Sequence, residues 1–386
     1  MKVKNLLLTF ALLLGASSAW AENTLSVKDV NITPNGKTTF AIEANFDKAD
    51  FVGYQLDIQL PAGVKVVAYA NGFAGTDHGI ADSNPSTNLY RAVVSSNKKN
   101  AIPSGKFSLL EVTIEGDETL TDGSILDAKV TAITFSDANN VGAAFDEVKF
   151  KVNVSNVLIL DENNMAVPAA TDDAVDIKVI RTIKANEWST ICLPFAMSAT
   201  KWKAAFGDDA EIRAFKEYKK VGDAIKVCFD SKLEKAMVTC TPYIIKVSKD
   251  ITEFTTNAKI NINEKNLKTV YSYDDEETGE TVEAGYMQGT LKAGTVIPTD
   301  NFFLNNGKFW YSAGKTVSQA FRAYFWLAEK ASSESRINIV FEDETTGIRN
   351  IGSDVNAETI YDLQGRAVEN AGKGIFIKGG KKVVVK

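Results

Sequence analysis

From residue 24 onward, apolar and polar positions alternate in short runs broken by turn residues. Strand-like runs cover Leu25 to Ile32, Thr38 to Phe46, Phe51 to Leu60, Leu89 to Ser95, Phe107 to Glu115, Ile125 to Phe135 and Glu147 to Val154. Side chains point to opposite faces at successive positions of a strand, so this period and spacing predict an antiparallel sandwich. The stretch FVGYQLDIQLPAGV, residues 51 to 64, is the clearest case. Val52, Tyr54, Leu56, Ile58 and Leu60 are expected on the core face, with Gly53, Gln55, Asp57 and Gln59 opposite. Pro61 has no ladder donor and Gly63 tolerates positive φ, which ends the strand.

The pattern changes along the chain. Residues 155 to 182 are polar and interrupted by Pro168, and read as a linker carrying one strand. Residues 183 to 345 read as a second, mainly β domain with one short helix. Ser198 is its expected N-cap, Ala199 to Phe206 the helix and Gly207 the stop, with Trp202, Ala205 and Phe206 on one face. Residues 346 to 386 read as a polar connector and a small β segment. Its stretch KGIFIKGGKKVVVK suits a hairpin turning at Gly379-Gly380.

The order VKDVNITPNGKTTFAIEANF, FVGYQLDIQLPAGVKVV, LYRAVVSS, GKFSLLEVTI and AKVTAITFSDANN, over residues 24 to 154, resembles a cohesin-type domain. That is a jelly-roll module related to cellulose-binding sandwiches. The resemblance implies a noncatalytic extracellular module that docks a protein or a polysaccharide, and it brings no catalytic residue with it. The tail is similar to the sorting domains that end proteins exported by the type IX route of Gram-negative bacteria. Tyr361-Asp362-Leu363, Gly365-Arg366, Gly374-Ile375 and Lys381-Lys382 carry that likeness, in a segment shorter than the family's domain.

The first residues bear on compartment. Lys2 and Lys4, the apolar run Leu6 to Leu14 and Ala19-Trp20-Ala21 form an expected signal peptide, residues 1 to 21. The apolar run is too short to span a membrane, and no transmembrane helix is expected. Removing the leader takes Lys2 and Lys4 and moves the formal charge from -6 to -8. An acidic surface repels phosphate backbones, so nucleic acid is not an expected partner. The expected location is extracellular, or on the outer-membrane surface of a Gram-negative bacterium. Three cysteines, Cys192, Cys228 and Cys240, leave at least one unpaired, and Cys228 and Cys240 flank an expected hairpin.

Catalytic chemistry finds little support. The one histidine, His78, lies in GFAGTDHGIADSNP, which reads as an exposed loop. Asp77, His78 and Asp82 there, and the acidic run YDDEETGE at 273 to 280, read as solvated turns. No metal site or cofactor is expected beyond loosely held calcium. In AFRAYFWL, Phe321, Ala323, Phe325 and Leu327 take one face, and Arg322, Tyr324 and Trp326 the other. Trp310 and Tyr311 join these three as candidate ligand-binding residues, and Arg322 stacked on Trp326 would fit a binding face and a strand covered on both sides alike.

The reading is an all-β protein of tandem, jelly-roll-like β-sandwiches that binds polysaccharide or an extracellular protein without catalysis. Two alternatives stand beside it: a glycoside hydrolase with paired carboxylates, and a structural component of a surface layer or appendage associating through edge strands.

Overall fold

The computed structural model describes residues 23–47, 50–73, 76–221, 224–275, 278–328 and 336–341, and four short strands between 360 and 385. The expected leader and the connector up to residue 359 lie outside the described residues. The chain is all-β apart from one α-helix and one 3-10 turn among them.

The first region contains β1 (Thr24–Val27), β2 (Val30–Ile32), β3 (Lys37–Phe46), β4 (Phe51–Gln59), β5 (Val64–Asn71), β6 (His78–Ser86), β7 (Leu89–Ser96), β8 (Gly105–Gly116), β9 (Ile125–Asp137), β10 (Gly142–Ala144) and β11 (Val148–Val154). One sheet runs β1-β3-β8-β5 and the other β2-β11-β9-β4-β7-β6, with β10 on β9. Their facing side chains form one core, in which the rings of Phe46, Phe51, Phe135 and Phe145 meet at centroid distances between 4.9 and 6.3 Å. Tyr54 belongs to this core as expected, donating its hydroxyl to the Leu109 carbonyl at 3.2 Å. Burial pushes that phenol far above its ordinary range.

Two local expectations differ from what is found. The register of β4 against β9 shifts between Phe51 and Gly53, and this irregularity places Phe51 in the core where Val52 was expected. One extra residue reverses the alternation around it. The stretch expected as an exposed loop around His78 instead forms β6, paired with β7 from His78 opposite Ser96 onward. Its outer residues are exposed, but its first residue, His78, is buried. As an edge strand it takes its stability from the β7 ladder rather than from β propensity, and Pro85 is tolerated there.

The second region contains β12 (Leu158–Asp161), β13 (Val175–Ile183), β14 (Ser189–Ile191), α1 (Ala199–Phe206), β15 (Glu211–Val221), β16 (Ala224–Phe229), β17 (Tyr243–Lys246), β18 (Ile251–Ala258), β19 (Lys268–Asp274), β20 (Thr281–Thr290), β21 (Thr295–Val296), β22 (Asn301–Asn305), β23 (Lys308–Tyr311), β24 (Val317–Ser318), β25 (Arg322–Leu327) and β26 (Arg336–Phe341). The stretch expected as a linker supplies β12 and β13, which pair in parallel and bury Leu158, Leu160, Ile177 and Val179 in the second core. The helix has the expected limits, with Ser198 accepting from the Lys201 amide, and Gly207 closing it at φ 100°. Trp202 is fully buried and donates its indole N–H to the Lys235 carbonyl at 2.9 Å.

Sheets β14-β17-β15-β16-β26 and β19-β20-β25-β22-β23 face each other. Phe215, Val227, Phe229 and Ile244 of the first pack on Met287, Phe302, Ala323, Phe325 and Leu327 of the second. The inner face of β25 is therefore committed to a core, as its alternation predicts.

The two regions touch through the turn after β12. Lys28 donates to the Asn163 carbonyl at 2.6 Å, Asn164 to the Thr39 carbonyl at 3.3 Å, and Lys292 pairs with Glu111. Met165 and Ala166 fill the gap between Ala41 and Ala293. Gly294, at φ 76°, holds a left-handed conformation that favours glycine, and a Cβ there would push on the Met165 methyl at 2.6 Å.

The tail forms its own sheet of β27 (Ile360–Tyr361), β28 (Ala367–Val368), β29 (Gly374–Lys378) and β30 (Lys381–Val385), in the order β28-β27-β29-β30. The hairpin expected here is present, with Lys378 opposite Lys381.

Candidate functional site, an aromatic sheet face

Register assembles the site. Across β23, β22, β25, β20 and β19, one row of opposed residues reads Trp310, Phe303, Tyr324, Gln288 and Lys268. The next row reads Asn301, Trp326, Tyr286 and Val270 across β22, β25, β20 and β19. Neighbouring strands lie about 4.8 Å apart, so pairing sets opposed rings side by side. Trp326 and Tyr286 stack with centroids 5.4 Å apart and planes 23° from parallel. Lys268 Nζ sits 4.2 Å above the Tyr286 ring and reaches both carboxylate oxygens of Glu283, at 2.7 and 2.9 Å.

These rings face away from the inner core. Phe303, Tyr286, Tyr324 and Trp326 are half-buried, Trp310 is 51% exposed, and among the described residues none of the five packs into a hydrophobic core. Trp310 Nε1 is held by the Asn305 carbonyl at 3.1 Å, which fixes its ring at the sheet edge. Burial pushes the Tyr286 phenol above its ordinary value, opposed by the Lys268 ammonium, and burial does the same to Tyr324. Both hydroxyls therefore stay protonated at neutral pH and can donate hydrogen bonds. Asn301, opposite Trp326, is buried, and its Oδ1 has no hydrogen-bond partner among the described residues.

The five candidate residues divide. Tyr324, Trp326 and Trp310 come together on this face. Tyr311 lies opposite Phe302, an inward residue, and meets its ring edge-on at 5.6 Å, which puts it on the other side of the sheet. Arg322 does not lie over Trp326. Its Nη2 donates to Glu162 Oε2 at 2.7 Å and to Gln319 Oε1 at 2.5 Å. The same Glu162 oxygen accepts from Arg181 Nη1 at 3.2 Å, while Oε1 accepts from the Thr182 amide at 3.0 Å. Arg181 is fully buried, and desolvation, then the like charge of Arg322, push it down to about 9. An ion pair drawn out of water outcompetes an exposed cation–π contact, because its charges are screened less. Arg322 thus anchors the end of the aromatic strand.

Tyr286 and Phe303 were not among the sequence candidates. The signal for Tyr286 was the alternation in GYMQG, where Tyr286 and Gln288 flank the inward Met287. Phe303 had none, since Phe302 and Phe303 are adjacent and only pairing decides which turns inward.

Cys228 and Cys240 do not flank a hairpin. Cys228 is on β16, opposite Glu217 and Val340, whereas Cys240 is buried in the second core beside Cys192.

No known protein-family profile matches this chain, and no curated protein does. Solved structures similar to it include a non-cellulosomal cohesin from the hyperthermophilic archaeon Archaeoglobus fulgidus, at 14% identity over 34% of this chain and 91% of that one, with a TM-score of 0.27. The sixth cohesin of Acetivibrio cellulolyticus scaffoldin B, solved with a mutant Cel5 dockerin, is 15% identical over 34% of this chain and 99% of its own, with a TM-score of 0.30. A cohesin module from a Clostridium perfringens family 33 glycoside hydrolase is 12% identical over 36% and 100%, with a TM-score of 0.28.

Proposed function

We propose that the protein is a noncatalytic binding module that holds a polysaccharide chain across the outer face of the β19–β25 sheet. The observation that carries this reading is the register that lays Trp310, Phe303, Tyr324, Trp326 and Tyr286 side by side on one face outside the cores. A sugar ring has an apolar C–H face and a rim of hydroxyls. Tyrosine and tryptophan match it, offering a broad apolar surface with a polar group at its edge. Gln288, Lys268 and Glu283 supply donors and acceptors around the rings. A flat sheet suits an extended chain better than a small molecule, which seeks a concave pocket. The leader-like residues 1 to 21 and the sorting-like tail support a place outside the cell. Against hydrolysis stands Glu283, the acid bordering these rings, which is engaged by Lys268.

Affinity electrophoresis through gels containing soluble plant or bacterial polysaccharides tests the reading. At least one polysaccharide is expected to retard the protein, and Trp326→Ala and Tyr324→Ala each to reduce the retardation. Free migration through every polysaccharide, or retardation unchanged in both variants, sinks it, and the former result favours a protein partner.

A further inference from the structure

Cys192 and Cys240 are 48 positions apart in sequence, yet Cys192 Sγ donates to the Cys240 carbonyl at 3.3 Å. The segments carrying them are joined a second time, by the Cys240 amide and the Leu193 carbonyl at 2.7 Å. Both residues are fully buried in the core of the second region. Cys192 rests on Gly289, where an added Cβ would come within 2.4 Å of its sulfur. The Cys240 sulfur is held between the Asn261 carbonyl at 3.5 Å and the Asn263 amide at 3.4 Å. Cys228 stands apart on β16, partly exposed, with its sulfur 3.8 Å from the carbonyl of Lys226 on its own strand.

We propose that Cys192 and Cys240 form a disulfide when the chain folds under oxidising conditions, leaving Cys228 as the free thiol. Closing the bond requires the Cys192 sulfur to leave the Cys240 carbonyl and the Cys240 sulfur to leave Asn261 and Asn263, so that the two side chains turn toward each other. Each thiol loses its proton, two electrons pass to a small-molecule disulfide such as oxidised glutathione, and that disulfide is released as two glutathione thiols. The sulfur–sulfur bond then closes a loop containing α1, β15 and β16, removing conformations from the unfolded ensemble. Once the reduced chain has folded, burial, then the neighbouring Cys240, push the Cys192 thiol well above its ordinary value. Thiolate is then scarce, so the bond forms during folding rather than after it.

The test is to refold the reduced, denatured full chain with a glutathione redox pair, block free thiols, digest, and map the peptides by mass spectrometry. The expected product links the peptides of Cys192 and Cys240, with Cys228 alone blocked. Its melting temperature is expected to fall by several degrees on reduction, in the wild type and in Cys228→Ser but not in Cys240→Ser. Three blocked thiols in the refolded wild type, or a link that includes Cys228, overturns the proposal. The wild-type map decides even where Cys240→Ser fails to fold.

Discussion

Two sheets of this protein follow the same alternation and turn opposite kinds of residue outward. On the long sheet of the first region, β4 and β7 place Gln55, Asp57, Gln59 and Arg91 outside, and Arg91 grips Asp57 through two bonds of 2.6 and 2.7 Å. Its rings Phe51 and Phe135 are inside, where with Phe46 of β3 and Phe145 they fill the gap between sheets. The β19–β25 sheet also has a ring-filled inner face, yet keeps five further aromatic residues outside. An inner ring is explained by burial alone. An outer row of rings needs another reason, since leaving large apolar side chains half in water forgoes the stabilisation that burial brings.

The contrast is sharpest where a ring is removed. Phe135→Ala should cost about 3–5 kcal/mol, seen as a lowered denaturation midpoint, because it opens a cavity between close-packed rings. A loss comparable to that of a surface substitution would break the distinction between inner and outer rings.

A loss of similar size is expected from Glu162→Ala, which strands two guanidinium groups. Removing one partner of a buried charge cluster costs about 3–5 kcal/mol. Chemical denaturation would detect it, and Arg322→Ala should be milder because Glu162 retains Arg181. Equal losses in the two variants would count against Glu162 as the shared acceptor.

On the outer face, Trp326→Ala should weaken polysaccharide binding about tenfold, roughly 1.4 kcal/mol, with less effect on stability than Phe135→Ala. Tyr311→Ala, one residue from Trp310 but on the opposite side of the sheet, should leave affinity unchanged. Titration of both variants by calorimetry checks the pair, and an equal drop in the two would mean the sheet face is not the binding surface.

The smallest expected effect is a pH dependence specific to the first region. Burial lowers the His78 pKa, with Asp77 opposing, and its ring lies edge-on to Phe73 at 5.2 Å. The folded state holds the neutral imidazole, so the unfolded chain takes up the proton first. Stability from this group is full above the ordinary histidine value of about 6.5 and declines as pH falls below it. Melts on either side of that range should show the wild type losing more than His78→Leu. Parallel losses would remove His78 as the cause.

Much of the architecture was legible along the chain. The period of two in β25 and over most of β4 named their core positions, and Ser198 and Gly207 named the limits of the helix, because both signals act within a few residues. The edge strand β6 was not legible, since Gly79, Asp82, Ser83 and Asn84 have turn-like propensities and the β7 ladder overrides them. Nor was the place of Phe51, decided by an irregularity against β9. Residues 155 to 182 read as a linker because the apolar runs VLIL and VDIKVI are short and lie on either side of the polar, proline-containing stretch between them, and their partners come from elsewhere in the chain.

By itself, the sequence determined that this chain is built of strands, which residues of β25 and of most of β4 share a face, and that aromatic side chains concentrate in its second half. Those properties depend on backbone alternation and on local caps and turns. Tertiary structure alone decided that Trp310 joins Tyr324 and Trp326 while Tyr311 does not, and that Phe303 and Tyr286 complete the face. It alone turned Arg322 to Glu162, 160 positions away. Strand pairing and buried charge are set by partners distant in sequence, and no local period encodes which strand lies beside which.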